Sequence, residues 1–172
     1  MPRGAARDPL KFGSQAAGGL LLFNQKVIIL AMTSFATRTT IQATPEAVWR
    51  ILTDAPAYPE WNGTVTRVDG RIALGETVTV HAKIAPGRTF PVKVIAFEEP
   101  QRMVWRGGMP LGLFTGERTY ELHATSPDAV EFSMREEYSG LLEPLIAKSM
   151  PDLQPAFDEF ASCLKSRAER AT

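Results

Sequence analysis

The chain has 172 residues, 44% hydrophobic and 22% charged, the composition of a single globular domain with a core of its own. Lys plus Arg and Asp plus Glu number 19 each, so no global field recruits nucleic acid or an anionic membrane. One cysteine, Cys163, excludes an intramolecular disulfide, and two histidines, His81 and His123, are a thin supply for zinc or acid–base chemistry.

Residues 1–33 read apart from the rest. MPRGAARDPLKFGSQAAGG has no period, and LLLFNQKVIILAM is an apolar run broken by Asn24, Gln25 and Lys26. A membrane span needs about 20 mostly apolar residues, and a signal peptide needs one unbroken apolar stretch. Neither is expected, and the location that follows is cytoplasmic. The segment reads as an N-terminal extension, either disordered or a mis-assigned start, with translation naturally beginning at Met32. A cleaved targeting segment is the competing reading. The domain is expected over residues 34–170.

Phe35 to Gln42 alternates and is rich in Thr, a strand signal. Thr44 then stands as N-cap with Pro45 at the first helical position and Glu46 in the first turn. Val48, Ile51 and Leu52 fall three and four apart, giving a short amphipathic helix that Pro56 and Pro59 end. GETVTVHAKIA places Val78, Val80, Ala82 and Ile84 on one face, with Thr77, Thr79, His81 and Lys83 on the other. After a turn at Pro86-Gly87-Arg88, Phe90, Val92, Val94 and Ala96 continue the apolar face. Ile95 and Phe97 break the alternation, which asks for a bulge or a buried outer patch.

Met103 and Trp105 enter the next strand, and GGMPLGLFTGE follows as a Gly-rich loop with Met109, Leu111, Leu113 and Phe114 at its tip. Arg118, Tyr120, Leu122 and Ala124 alternate in one strand, and Val130, Phe132, Met134, Glu136 and Tyr138 in the next. The last segment changes period. Leu142, Leu145, Ile146, Leu153, Phe157, Phe160, Ala161, Leu164 and Ala168 trace one stripe of a long helix, kinked or broken around residues 149–155 by Pro151 and Pro155. Ser149 with Asp152 reads as a capping box that restarts this helix near Met150.

This order is α+β. One apolar sheet face needs a cover, only the last helix is long enough to supply it, and a curved sheet around one helix leaves space for a ligand.

PEAVWRILTDAPAYPEWN, LGETVTVHAKI, MVWRGG, EEYSGLLEPLI and FDEFASCLKSRAE together resemble the SRPBCC or START-like superfamily, in particular its polyketide cyclase/dehydrase-like branch. The resemblance implies the helix-grip fold, a sheet of about seven antiparallel strands around a long C-terminal helix and a cavity for hydrophobic ligands. Two short helices after the first strand belong to it. It implies no shared catalytic motif and no cofactor. Many relatives carry a His in the strand after the Gly-rich loop, where GERTYEL has Arg118.

Parity gives the sharpest site expectation. If Tyr120, Leu122, Phe132 and Met134 face inward, so do Arg118 and Glu136. A hairpin turning around Pro127 pairs residues whose numbers sum to 254, which sets Arg118 directly across from Glu136. The pair either neutralises itself near a cavity mouth or addresses a polar group on the ligand, and these readings stay open. Trp61, Trp105, Phe114, Tyr120, Met134, Tyr138, Met150 and Phe157 complete the candidate lining. His81 and His123 fall on the outer face, so no metal is expected. Cys163 lies beside the helix stripe as a half-buried hydrophobe.

Three functions follow as expectations. The first is binding or carriage of a small hydrophobic or aromatic metabolite. The second is a cofactor-independent cyclase/dehydratase in which Arg118, Glu136 or Tyr138 polarises a carbonyl or moves a proton. The third is a co-chaperone-like interaction module using loop 107–116 or the outer sheet face, and the loop is also a candidate homodimer contact.

Overall fold

A computed structural model describes residues 33–171 of the chain. The extension, its Met32 start and the cleaved-segment alternative lie outside the described residues.

The strands are β1 (Ser34–Ile41), β2 (Val65–Asp69), β3 (Thr77–Ala82), β4 (Phe90–Glu98), β5 (Arg102–Gly108), β6 (Thr115–Ser126) and β7 (Ala129–Ser139). They form one antiparallel sheet in the order β1-β7-β6-β5-β4-β3-β2. The chain crosses from one sheet edge to the other between β1 and β2 through α1 (Pro45–Thr53), a 3-10 turn (Ala55–Ala57) and α2 (Tyr58–Trp61). Thr44 caps α1 as expected, its Oγ1 accepting from the Ala47 N–H at 3.3 Å. Val48, Trp49 and Leu52 are buried on the inner side of α1.

β4 resolves its broken alternation with a bulge between Val94 and Ala96. The extra residue resets the phase, so Val94 pairs with Trp105 but Phe97 pairs with Met103. Phe97 then turns inward to meet Trp49, ring centroids 5.1 Å apart. The β3 pattern stops sooner than its sequence suggests. The strand ends at Ala82, and Ile84 leaves the inner face for solvent.

The C-terminal segment is two helices, α3 (Glu143–Ala147) and α4 (Gln154–Arg170). The expected break falls between them, but the Ser149–Asp152 capping box does not form. Ser149 Oγ donates back to Ile146 O, and Asp152 Oδ1 accepts from Gln154 N at 2.9 Å. Pro155 explains the later start. A helix beginning at Met150 would place Pro155 against a carbonyl one turn back, whereas a start at Gln154 leaves it in the first turn, where no donor is needed. The stripe also shortens. Phe157, Phe160, Ala161, Leu164 and Ala168 are buried against the sheet, while Leu145 on α3 is exposed. Full burial of each large apolar side chain contributes about 1.5–3 kcal/mol. Gln154 Nε2 donates to Ala36 O at 2.8 Å and Glu169 accepts from Gln42 N at 2.9 Å, tying both ends of α4 to β1 and its exit.

Candidate functional site

The β6–β7 ladder runs in the predicted register, with Arg118 opposite Glu136, Tyr120 opposite Met134 and Leu122 opposite Phe132. All point to the inner face, because burial along both strands follows that parity. Arg118 engages a single oxygen, with Nε 2.8 Å and Nη2 2.5 Å from Glu136 Oε2. Its guanidinium carbon lies 4.9 Å from the centre of the Phe157 ring on α4, so the cation is sandwiched between carboxylate and aromatic face. The pair keeps some water, with side-chain exposures of 28% for Arg118 and 15% for Glu136. Burial alone pushes Arg118 down, but the Glu136 charge outweighs it and holds the guanidinium firmly protonated.

Glycine at position 116 makes room beside the pair. A Cβ there would lie 3.1 Å from Tyr138 Cε1 and 3.2 Å from Glu136 Oε1, so both groups reach over bare backbone. Burial, reinforced by the Glu136 charge, raises the Tyr138 hydroxyl well above the ordinary tyrosine value. Phe114 stacks on Tyr138 with centroids 5.5 Å apart, and Phe35 meets Tyr138 and Phe157 at 6.3 and 5.9 Å. These four rings form an aromatic collar around the ion pair.

A second aromatic nest lies between the sheet and the middle of α4. Trp105 meets Tyr120 at 5.1 Å, Tyr58 meets Trp61 at 4.9 Å, and Phe160 contacts Tyr58, Trp61, Tyr120 and Phe132 at 5.2–6.4 Å. Tyr58 is satisfied, its hydroxyl donating to Leu52 O at 2.8 Å. Four other polar atoms in or beside this nest are buried with no hydrogen-bond partner: Trp61 Nε1, Asn62 Nδ2, Trp105 Nε1 and the Tyr120 hydroxyl. The amide orientation of Asn62 is set by Oδ1, which accepts from Thr64 N at 2.9 Å and Oγ1 at 2.8 Å, leaving Nδ2 as the donor. Burial raises Tyr120, and the charge and hydrogen-bonding proximity of Arg118 draw it partly back.

The sequence-predicted residues therefore divide between two nests. Arg118, Glu136, Tyr138, Phe114 and Phe157 gather at the collar, and Trp61, Trp105, Tyr120 and Met134 in the deeper layer. Met150 is half-buried in the connection between α3 and α4. The sequence does not single out Phe35 or Tyr58 as lining residues. Phe35 had only β1 alternation as a signal, and Tyr58 sat in a proline-rich corner whose direction the sequence does not give. The loop after β5 is tighter than expected, spanning 109–114 with a 3-10 turn at Pro110–Gly112.

Two surface grooves lie elsewhere. One, of about 590 Å³, is on the outer sheet face by Lys93, Arg106, Glu117 and Gly108, and the other, of about 220 Å³, lies by Arg50, Asp54, Trp61 and Arg167. Neither is lined by Arg118 or Glu136. His81 on β3 bonds Asp69 at 2.8 Å, and His123 is on β6, exposed. Among the described residues no group of three or more His, Cys, Asp or Glu is placed to hold a metal, and no helix is long and apolar enough to cross a membrane.

A seven-stranded antiparallel sheet closed over by one long C-terminal helix, with two short helices bridging its edges, is the helix-grip architecture of START-like proteins. The family model for polyketide cyclase / dehydrase and lipid transport proteins matches residues 32–169, and the chain belongs to that family. Solved structures share the fold at low identity. A START superfamily protein from Mycobacterium smegmatis is 17% identical with a TM-score of 0.59, covering 82% of this chain and 99% of its own. The Zhui aromatase/cyclase from Streptomyces sp. R1128 is 13% identical with a TM-score of 0.63, covering 81% and 94%. Norcoclaurine synthase from Thalictrum flavum, in complex with dopamine and hydroxybenzaldehyde, is 13% identical with a TM-score of 0.62, covering 97% and 99%. A search of curated proteins gives no sequence match.

Proposed function

We propose that this protein is a cytoplasmic binder of a small aromatic or polycyclic metabolite that carries hydrogen-bond acceptor oxygens. The observation that carries the reading is the set of buried, unpartnered groups Trp61 Nε1, Asn62 Nδ2, Trp105 Nε1 and Tyr120 OH. A buried polar group without a partner costs about 1–3 kcal/mol, so acceptor oxygens brought by a ligand to any of these groups would offset that cost. The surrounding rings supply an apolar lining suited to a flat ligand. In the ligand-free protein those rings fill the space beneath α4, so binding parts them, with the non-helical connection 148–153 as the place that yields. The oxygen-bearing aromatics named with norcoclaurine synthase are of this chemical type.

Native mass spectrometry of freshly purified protein, followed by tryptophan-fluorescence titration with a hydroxylated anthraquinone and with palmitate, tests this. Retention or tight binding of the oxygenated aromatic supports it. Exclusive preference for the alkyl chain sinks it.

A second reading, cofactor-independent cyclase or dehydratase chemistry, rests on the collar. Arg118 occupies only Oε2 of Glu136, while Oε1 and the Tyr138 ring share the space over Gly116. In that reading Arg118 polarises a ligand carbonyl and Glu136 takes or returns a proton. Glu136→Gln would then abolish turnover of a bound substrate while leaving its binding in place, whereas equal loss of both would reject the reading.

A further inference from the structure

Opposite charges balance over the whole chain, but not at one end of the sheet. The β5–β6 and β7–α3 connections leave the sheet where Gly108, Thr115 and Ser139 stand in register, and the β3–β4 connection leaves the same end on the neighbouring strands. Leu142 N donates to Leu113 O at 2.8 Å, so the first two connections touch. Met109, Leu111 and Leu141 are exposed on them and Leu145 on α3 just beyond, joined by Ile84 from the β3–β4 connection and Phe90 at the start of β4. Among the described residues only one other large apolar side chain is exposed to this degree, Leu74, at the opposite end of β3.

Leu111 is the extreme case. It is 97% exposed and holds φ at 61°, a left-handed conformation that costs a non-glycine residue about 1–2 kcal/mol. Packing within the fold returns nothing for it. The β3–β4 connection carries Lys83 and Arg88, and Lys148 directly follows α3; all three are exposed and in no ion pair among the described residues. The one carboxylate over residues 83–89, 109–114 and 140–151 is Glu143, which is buried and accepts from Thr33 N and Oγ1. The next acid along the chain, Asp152, is engaged by Gln154 N.

We propose that this end of the grip docks on an anionic lipid surface, with Leu111, Leu141, Met109 and Leu145 entering the acyl boundary and Lys83, Arg88 and Lys148 meeting the headgroups. Apolar side chains rimmed by unpaired cations are the combination that binds such a surface, and each cation adds about fivefold to the partitioning. A second copy of the chain fits less well. A two-fold contact through this patch would set three unpaired cations against the same three, with no exposed acid in the connections to offset them.

Flotation of the full 172-residue chain with vesicles of phosphatidylcholine alone, or with one quarter phosphatidylglycerol, tests the proposal. Binding is expected to the mixed vesicles and not to phosphatidylcholine, falling as salt rises. Leu111→Asp with Leu141→Asp should reduce it at least tenfold, and Lys83→Gln with Arg88→Gln roughly twenty-five-fold. These positions are exposed, so an unchanged circular dichroism spectrum is expected and shows that folding is intact. No binding to the mixed vesicles at 0.1 M salt, or binding that the leucine changes leave untouched, overturns it. So does a wild-type dimer that the leucine changes convert to monomer in sedimentation velocity without any vesicle binding, which would assign the patch to self-association.

Discussion

Arg118 and Glu136 face each other across the β6–β7 ladder and share one carboxylate oxygen, with the Phe157 ring of α4 covering the guanidinium. Strand, strand and helix thus meet at one ion pair. Removing half of it should cost more than removing the whole, because a lone charge keeps the desolvation penalty and loses the compensation. Arg118→Met is expected to destabilise the fold by about 2 kcal/mol, and adding Glu136→Leu to restore most of it. Urea unfolding of both single variants and the double variant measures this coupling. Additive losses would show that the pair does not act as a unit.

Tyr120 offers a test in which stability and binding move in opposite directions. Tyr120→Phe removes a buried hydroxyl that has no partner and keeps the ring against Trp105. The ligand-free protein should gain about 1 kcal/mol, while affinity for an oxygenated aromatic should fall about tenfold. Thermal unfolding and fluorescence titration read the two effects. A loss of stability would mean that the hydroxyl is partnered in the free protein, by water, and is not waiting for a ligand.

All three tyrosines of the chain, Tyr58, Tyr120 and Tyr138, are held above the ordinary value, in each case chiefly by burial. The folded protein therefore favours their neutral form. The stability tied to this is fully present below the unfolded tyrosine pKa of about 10 and is lost as pH rises toward the folded values. Each tyrosine that ionises only on unfolding contributes a slope of about 1.4 kcal/mol per pH unit in that window. Tyrosinate absorbance should stay absent through pH 10 and then appear together with the loss of circular dichroism. A smooth rise centred at pH 10 in folded protein would refute it.

Gly140 holds the loop after β5 in place. Its φ is 115°, and a Cβ there would fall 2.5 Å from the Leu113 carbonyl oxygen. Gly140→Ala should cost more than about 1 kcal/mol and loosen the loop at Leu113, seen as faster amide exchange over residues 109–114. Gly87, with a positive φ but open space around it, is the control in which Ala should cost only the backbone strain. Equal effects at both positions would show that the approach to Leu113 carries no weight.

Much of this protein was legible in its sequence because local rules act over few residues. Alternation set the inner faces of β6 and β7, the turn at Pro127 fixed their register, and Thr44-Pro45 began α1. The arrangement of Arg118 against Glu136 followed from counting, since a hairpin leaves one register once its turn is known. Asp152 misled because a capping box is a pattern of two residues, whereas Pro155 decides where the helix can start. Phe97 was undecided until the bulge set its phase against Met103.

Three features belong to tertiary structure alone. The unpartnered groups of Trp61, Asn62, Trp105 and Tyr120 come from two separate parts of the chain, the α2 region and β5–β6, and satisfaction of a polar atom depends on everything packed around it. The sheet end that gathers Leu111, Leu141, Lys83, Arg88 and Lys148 is invisible to a charge count of 19 against 19, because the count has no positions. And α4 brings Phe157 over Arg118 only by docking on a sheet curled far enough to receive it. The residues chose their strands and helices by themselves. Which side chains share one low-dielectric space was decided by how the sheet closed on the helix.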